Sequence, residues 1–271
     1  MLNNLTIGRY YPAKSPVHLL DPRTKLAAVL LFIVLLFLIQ NSLTYLFCLA
    51  TLLILYRISR VPYRYLLRGM QGFLLLLLFT FIFRVFFTPG DPIWSWGLLK
   101  LTQEGMDKAV QLVSRISLMI LSASLLSYTT TPRHLANGME QSLSGLKRFG
   151  FPLDDIALTV TVAFRFIPVL NDEIGILMDA QAARGVDFQH SGWLGKLRHI
   201  PSLVIPIFVS VLRRSADLAT AMEARGYSGQ NSSVNAYPLS YGRADRIAYL
   251  VIFVYVITAL FIDYALHQYL Y

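Results

Sequence analysis

The sequence predicts an all-α polytopic membrane protein with about five transmembrane helices and three long cytoplasmic or interfacial helices. Three observations carry that prediction. Of 271 residues, 55% are hydrophobic and only 14% charged, where soluble domains average about 45–50% and about 25%. Mean hydropathy is +0.54. Apolar runs approaching the roughly 20 residues that cross a bilayer recur along the chain. Finally, 20 of the 24 lysines and arginines fall in alternate intervals between those runs.

The first 25 residues hold Arg9, Lys14, Arg23 and Lys25 with Pro12, Pro16 and Pro22, and no small-residue cleavage site follows, so they do not read as a cleavable signal. "DPRTKL" at Asp21–Leu26 reads as a helix start: Asp21 is the cap, Pro22 takes the first helical position, and Arg23 and Lys25 anchor the helix at the membrane interface. The first two spans, Leu26–Ile39 and Leu43–Tyr56, are separated only by Gln40-Asn41-Ser42, which reads as a tight hairpin. A single tilted helix over 26–56 is the alternative, and it would bury a polar triplet at the bilayer centre. The third span is Gly72–Phe87, the fourth Ala109–Tyr128 and the fifth Ile247–Leu266. Arg84, Arg115 and Asp263 sit near span ends, where they snorkel or line a protein interior.

Charge sets the orientation, because basic loops stay in the cytoplasm. Four basic residues precede the first span, four (Arg57, Arg60, Arg64, Arg68) lie between the second and third, and twelve lie between Arg133 and Arg246. The opposite side has the neutral hairpin and a loop with Trp94 and Trp96, residues suited to an interface. The N-terminus is therefore expected inside and the C-terminus outside the cell membrane. A net charge of +9 raises nucleic acid as a partner for a soluble chain. Here it is accounted for by membrane loops, and no nucleic-acid partner is expected.

The organisation reads as a four-span membrane domain over 1–130, a cytoplasmic region over 131–245 and a last membrane helix over 246–271. The middle region is the unusual part. "IALTVTVAFRFIPVL" and "IPSLVIPIFVSVL" are nearly as apolar as spans but carry Pro168 and Pro206. An extra hairpin through the bilayer is the alternative, and it would place Arg184 outside and weaken the charge bias. Capping signals give three helices. The first starts after Thr131-Pro132 and ends near Gly150. The second runs from Leu153, with Asp154 and Asp155 in its first turn, to Arg184 with Gly185 as its stop. The third runs from Pro201 to Arg225 with Gly226 as its stop.

Two of these helices end on the same triplet, Ala183-Arg184-Gly185 and Ala224-Arg225-Gly226. One copy is explained by capping: glycine takes the left-handed conformation and arginine complements the helix dipole. Two copies exceed chance at this composition. Ala180 and Ala221 stand one helical turn before each arginine and on its face, leaving a shallow apolar stripe beside a projecting guanidinium. Such a tip suits insertion into a partner's groove, where arginine's fork bonds carboxylates or carbonyls.

These paired helix ends, with "YYPAKSPVHLLDPRTKL", "RFIPVLNDEIGILMDAQAARG" and "DLATAMEARGYS", resemble the transmembrane T component of energy-coupling factor (ECF) importers, the EcfT/CbiQ-like family. The resemblance covers essentially the whole chain. It implies a scaffold whose cytoplasmic helices, called coupling helices, join two ATP-binding cassette (ABC) ATPases to one membrane-embedded substrate-binding S component. Each of Ala183, Arg184, Gly185 and Ala224, Arg225, Gly226 would then enter a groove on one ATPase. ATP and magnesium would be bound by those ATPases, and no cofactor by this chain. A vitamin importer is the preferred reading, a cobalt or nickel importer the alternative.

Catalytic readings have weaker support. No stretch matches Gly-x-x-x-x-Gly-Lys-[Ser/Thr]. A polytopic enzyme acting on lipid-linked substrates would use Asp154, Asp155, Asp172 and Glu173, which read more simply as dipole partners and a salt-bridged face. His18, His134, His190, His199 and His267 form no His-x-x-x-His pair, and the single cysteine, Cys48, lies in an apolar run, so no metal site is expected.

Overall fold

Asp21 and Pro22 open the first long helix. The Asp21 carboxylate accepts from the Arg23 amide at 2.8 Å, and Pro22 stands where its missing N–H would be unpaired in any case. The computed structural model describes residues 10–89, 92–96, 99–142, 153–186, 193–227 and 241–270. After a four-residue turn, α1 (Pro16–Leu19), come α2 (Pro22–Leu38) and α3 (Ser42–Ile58). The chain reverses between them, as the hairpin reading requires. Polar groups from two other helices hold that reversal. Arg115 donates to the Ile39 carbonyl at 3.2 Å, Gln111 to the Gln40 carbonyl at 2.8 Å, and the Asp263 carboxylate accepts from the Asn41 amide and the Thr44 hydroxyl, both at 3.1 Å. Groups that a helix end leaves unpaired are thereby satisfied by side chains of neighbouring helices.

A separate and unexpected helix, α4 (Tyr63–Gln71), leads at a bend of 61° into α5 (Leu74–Phe87), which takes up nearly all of the expected third span, Gly72–Phe87. Alone, the 14 residues of α5 reach about 21 Å, short of the roughly 30 Å hydrocarbon core. A second departure follows it, where a loop was expected. Pro92–Trp96 (β1) pairs antiparallel with Leu99–Thr102 (β2), Trp94 opposite Leu101. The Thr102 hydroxyl donates to the Thr88 carbonyl and accepts from the Gly105 amide, both at 3.1 Å, so the hairpin leads directly into the next helix.

That helix is α6 (Gln103–Thr129), followed by α7 (Pro132–Ser142), and α10 (Arg243–Leu270) closes the chain. All five expected spans are helical, and α6 and Arg243–Leu266 of α10 are each long and apolar enough to cross a membrane alone. The bent pair α4–α5 offers a third crossing. At 17 residues each, α2 and α3 measure about 26 Å, close to the core thickness.

Compact packing groups residues 6–142 and 239–271 into one unit and 143–238, with the first five residues, into another. In the former, Leu35, Leu36, Tyr45, Cys48, Tyr56, Leu118, Leu121 and Tyr128 form a buried core between α2, α3 and α6. The outer faces are the reverse of a soluble protein's: Leu75 is 83% exposed, Phe79 65%, Phe253 67% and Phe261 70%. Apolar surface of that extent belongs in lipid. α7, expected in the cytoplasmic region, packs on α2 in this unit: a β-carbon added at Gly138 would lie 2.8 Å from Pro22 Cβ.

The other unit contains α8 (Leu153–Ala183) and α9 (Trp193–Ala224). The expected third helix began at Pro201, but α9 begins at Trp193 and carries both Pro201 and Pro206 inside it. Proline removes one amide and disfavours helix in the residue before it, and a helix supported on both sides accommodates that as a local distortion. The end of the first expected coupling helix, near Gly150, lies outside the described residues.

Candidate functional site

The Ala-Arg-Gly triplets terminate α8 and α9 in the same local geometry. Gly185 has φ 87° and Gly226 φ 77°, the left-handed region that L-residues adopt only at a cost. At the first end the Gly185 amide donates to the Ala182 carbonyl at 2.9 Å and the Val186 amide to Gln181 at 3.1 Å. At the second, Gly226 donates to Glu223 at 2.9 Å and Tyr227 to Met222 at 3.0 Å. This pairing, one longer bond with a shorter one nested inside it, is the Schellman motif, so alanine is the last helical residue, arginine the cap and glycine the left-handed stop in both copies.

Capping therefore explains the glycines. For the arginines it supplies only the general preference for a cation at a helix C-terminus. Arg184 and Arg225 are both exposed, and among the described residues neither guanidinium has a hydrogen-bond or ion-pair partner. No described contact joins one triplet to the other. The helices meet further back, where Ser210 of α9 donates to the Glu173 carboxylate and Arg214 approaches it at 3.1 Å. From that contact α8 runs on to Gly185 and α9 to Gly226, lengths of about 18 Å and about 24 Å at the ordinary helical rise. Both tips thus project from a shared contact.

Of the four acids in the enzyme alternative, Glu173 is this structural partner, Asp155 is exposed, Asp172 stands on the same helix, and the Asp154 side chain lies outside the described residues. No group of three or more metal-ligating side chains occurs among the described residues.

A second polar constellation was not read from the sequence. It surrounds the first turn of α2. Asp245, at the start of α10, accepts from the Asp21 amide at 2.8 Å, the Thr24 hydroxyl at 3.1 Å and the Gly242 amide at 2.8 Å. Arg23 pairs with Asp21 at 3.0 Å and lies 4.1 Å above the Tyr241 ring. Lys25 was expected to anchor at the interface, but it is only 7% exposed and donates to the His18 and Thr129 carbonyls, both at 3.1 Å. Burial in this turn, ahead of the apolar run, pushes the Lys25 ammonium down to about 8 and also lowers the His18 imidazole. The hydrogen bond from Arg23 to Asp21 raises the pKa of the guanidinium.

The carboxylates of α10 make a frame around α2. Asp245 meets the backbone entering α2 and Asp263 the backbone leaving it. The helix between the two acids is about 27 Å long, close to the thickness of the hydrocarbon. Acids flanking the apolar run of α10 were the available signal, but their partners stand near the opposite end of the chain.

Comparison with known proteins assigns this architecture. The family described as CbiQ, cobalt transport protein, matches residues 13–235. The energy-coupling factor transporter transmembrane protein EcfT of Ruminiclostridium cellulolyticum is 36% identical over 264 residues, covering 97% of this chain and 99% of its own. EcfT of Brevibacillus brevis is 37% identical over 258 residues, with 95% and 97% covered. EcfT of Listeria innocua is 39% identical over 230 residues, with 84% and 87% covered. Extended similarity at this level, over spans, hairpin and both arginine-tipped helices, shows that the chain belongs to the CbiQ/EcfT family of transmembrane components of energy-coupling factor transporters.

Proposed function

We propose that this chain is the energy-coupling scaffold of an ATP-driven importer, joining two ABC-type ATPases to one substrate-binding S component through α8 and α9. The carrying observation is the pair of matching helix ends, each with an exposed arginine that has no partner among the described residues. A buried or paired arginine is explained within its own fold. Two unpaired ones on rigid helices suit two copies of one kind of groove, lined with carboxylates or carbonyls.

The exposed face of α9 supports an S-component platform. Ile200, Val204, Phe208 and Leu212 recur every helical turn and are 47–61% exposed. One apolar stripe results, and such a stripe is covered by membrane interface or protein in the working state. ATP closure of the ATPases shifts the two tips, and α8 and α9 carry that shift to the stripe, where the S component is rocked or released. Coupling requires only that the partners contact the two states differently.

The chain itself is not catalytic in this reading. ATP and magnesium belong to the ATPases, and no cofactor is assigned here. With 20 of 24 basic residues on one side, the N-terminus lies in the cytoplasm and the C-terminus outside the cell. The substrate reading is a vitamin, delivered by S components that share this module, because the relatives carry the general coupling-factor name. The cobalt description of the family favours a metal importer as the second reading.

The test is affinity purification of the tagged chain from its native membrane, with mass spectrometry of its companions. Two ABC ATPases and small membrane proteins are expected, and Arg184→Ala/Arg225→Ala should lose the ATPases and lower uptake at least tenfold, a cost of about 1.4 kcal/mol or more in coupling. Normal uptake and ATPase activity in that double variant would refute the docking role. The S components recovered decide between vitamin and metal.

A further inference from the structure

Arg57, Arg60, Arg64 and Arg68 cluster between the end of α3 and the end of α4. All four are exposed, and among the described residues none of their guanidinium groups has a partner. The chain provides no neighbouring acid either: no Asp or Glu occurs from Pro22 to Gly90. Helical arginines are commonly balanced by carboxylates one turn away. These are not.

The geometry around them is specific. α4 turns Leu66 and Gly69 inward, where a β-carbon at Gly69 would sit 3.0 Å from the Ser124 hydroxyl, and Tyr65 packs edge-on against Tyr128. Outward it presents two adjacent rows, Arg64 with Arg68 and Tyr63 with Leu67, the latter 48% and 60% exposed. The 61° bend joins this short helix to α5, whose Leu75 and Phe79 are among the most exposed apolar side chains. A lipid-facing helix thus turns at its end into a basic amphipathic one, which is the form of a helix lying in the headgroup plane. A second observation comes from the backbone. Arg60 has φ 56° and is the one non-glycine with positive φ among the described residues. Glycine takes that conformation without penalty, so arginine here carries a backbone cost that glycine would avoid.

We propose that α4 and the turn before it form a headgroup site for anionic phospholipid, the four guanidinium groups taking phosphate while Tyr63 and Leu67 seat at the acyl boundary. Guanidinium forks match phosphate oxygens bidentately, and anionic leaflets attract juxtamembrane arginines. The site rests on the inward placement of these arginines proposed above and is independent of ATPase docking.

The experiment is native mass spectrometry of the detergent-washed complex from a membrane containing phosphatidylglycerol. It compares the unaltered chain with Arg64→Gln/Arg68→Gln, with all four arginines changed to Gln, and with all four changed to Lys. Retention of phosphatidylglycerol over phosphatidylcholine should fall about fivefold per arginine neutralised, and the lysine variant, which keeps the charge and loses the bidentate fork, should fall between the unaltered chain and the four-glutamine variant. Equal retention by the glutamine variants, at an unchanged melting midpoint, overturns the proposal. So does loss of an acidic protein companion with lipid retention intact, which would make the patch a protein interface. Gln71→Cys labelled by an impermeant reagent from outside intact cells overturns the inward placement and the site together. Arg184→Ala/Arg225→Ala should keep its lipid whatever happens to its ATPases.

Discussion

The first turn of α2 and the tips of α8 and α9 each bring arginine to a helix terminus, and they treat the charge in opposite ways. In the α2 turn, Asp21, Thr24, Lys25 and Asp245 are all at most 7% exposed, and every one has a named partner. At the tips, Arg184 and Arg225 stand in solvent with none among the described residues. A buried charge is held by its own fold, because leaving it unpaired costs several kcal/mol. An exposed arginine contributes little to stability, so its recurrence at matching positions is what supports the proposed docking role. In that reading, the same chemistry separates residues that hold the scaffold from residues that connect it.

Substitutions can break that contrast. The largest stability loss is expected from Asp245→Leu, which leaves the Asp21 amide, the Thr24 hydroxyl and the Gly242 amide without their acceptor and should cost roughly 3–5 kcal/mol. Thermal unfolding in detergent measures it, and an unchanged midpoint would mean the turn is not a clasp. Lys25 supplies a pH signature of the same cluster. Its folded value of about 8 is below the ordinary 10.5. Between those values the unfolded chain holds the extra proton, so stability rises with pH through that window and is level below it. Lys25→Met should abolish the rise, and a rise that survives in the variant would assign it to another group.

At the tips the effects are smaller. Gly185→Ala and Gly226→Ala should each cost about 1 kcal/mol, since alanine must adopt a left-handed φ there, while open space around both glycines means no clash adds to it. A loss much larger than that, in the same melting assay, would show that the ends are buried against something. The smallest change is expected from Arg184→Ala/Arg225→Ala, within about 0.5 kcal/mol of the unaltered chain. The double variant should melt normally and fail in uptake, and a large melting shift would place the arginines with the scaffold instead.

Where chemistry is local, the sequence was legible. Asp21-Pro22 and Thr131-Pro132 begin helices, and Gly185 and Gly226, free of a β-carbon, stop them, because a cap depends on residues within one turn. The reading failed where an element is decided by something distant. α9 starts at Trp193 and runs on through Pro201 and Pro206, a separate helix, Tyr63–Gln71, precedes the third apolar run at a 61° bend, and β1 and β2 pair in a stretch read as a loop between spans. Lys25 was misplaced for the same reason. Its position beside an apolar run fits an interfacial anchor equally well until His18 and Thr129 bring their carbonyls to it.

By itself the sequence determined that this chain lives in a membrane, where its five apolar helices lie, and that two helices end in the same arginine-glycine cap, since hydropathy and capping are properties of neighbouring residues. Tertiary structure alone decided which charges are internal. Asp245 and Asp263, near one end of the chain, find their partners at Asp21 and Asn41 near the other, and no local pattern records such a pairing. Whether an arginine is a brace or a handle depends on whether the fold brings a carboxylate or a carbonyl to it.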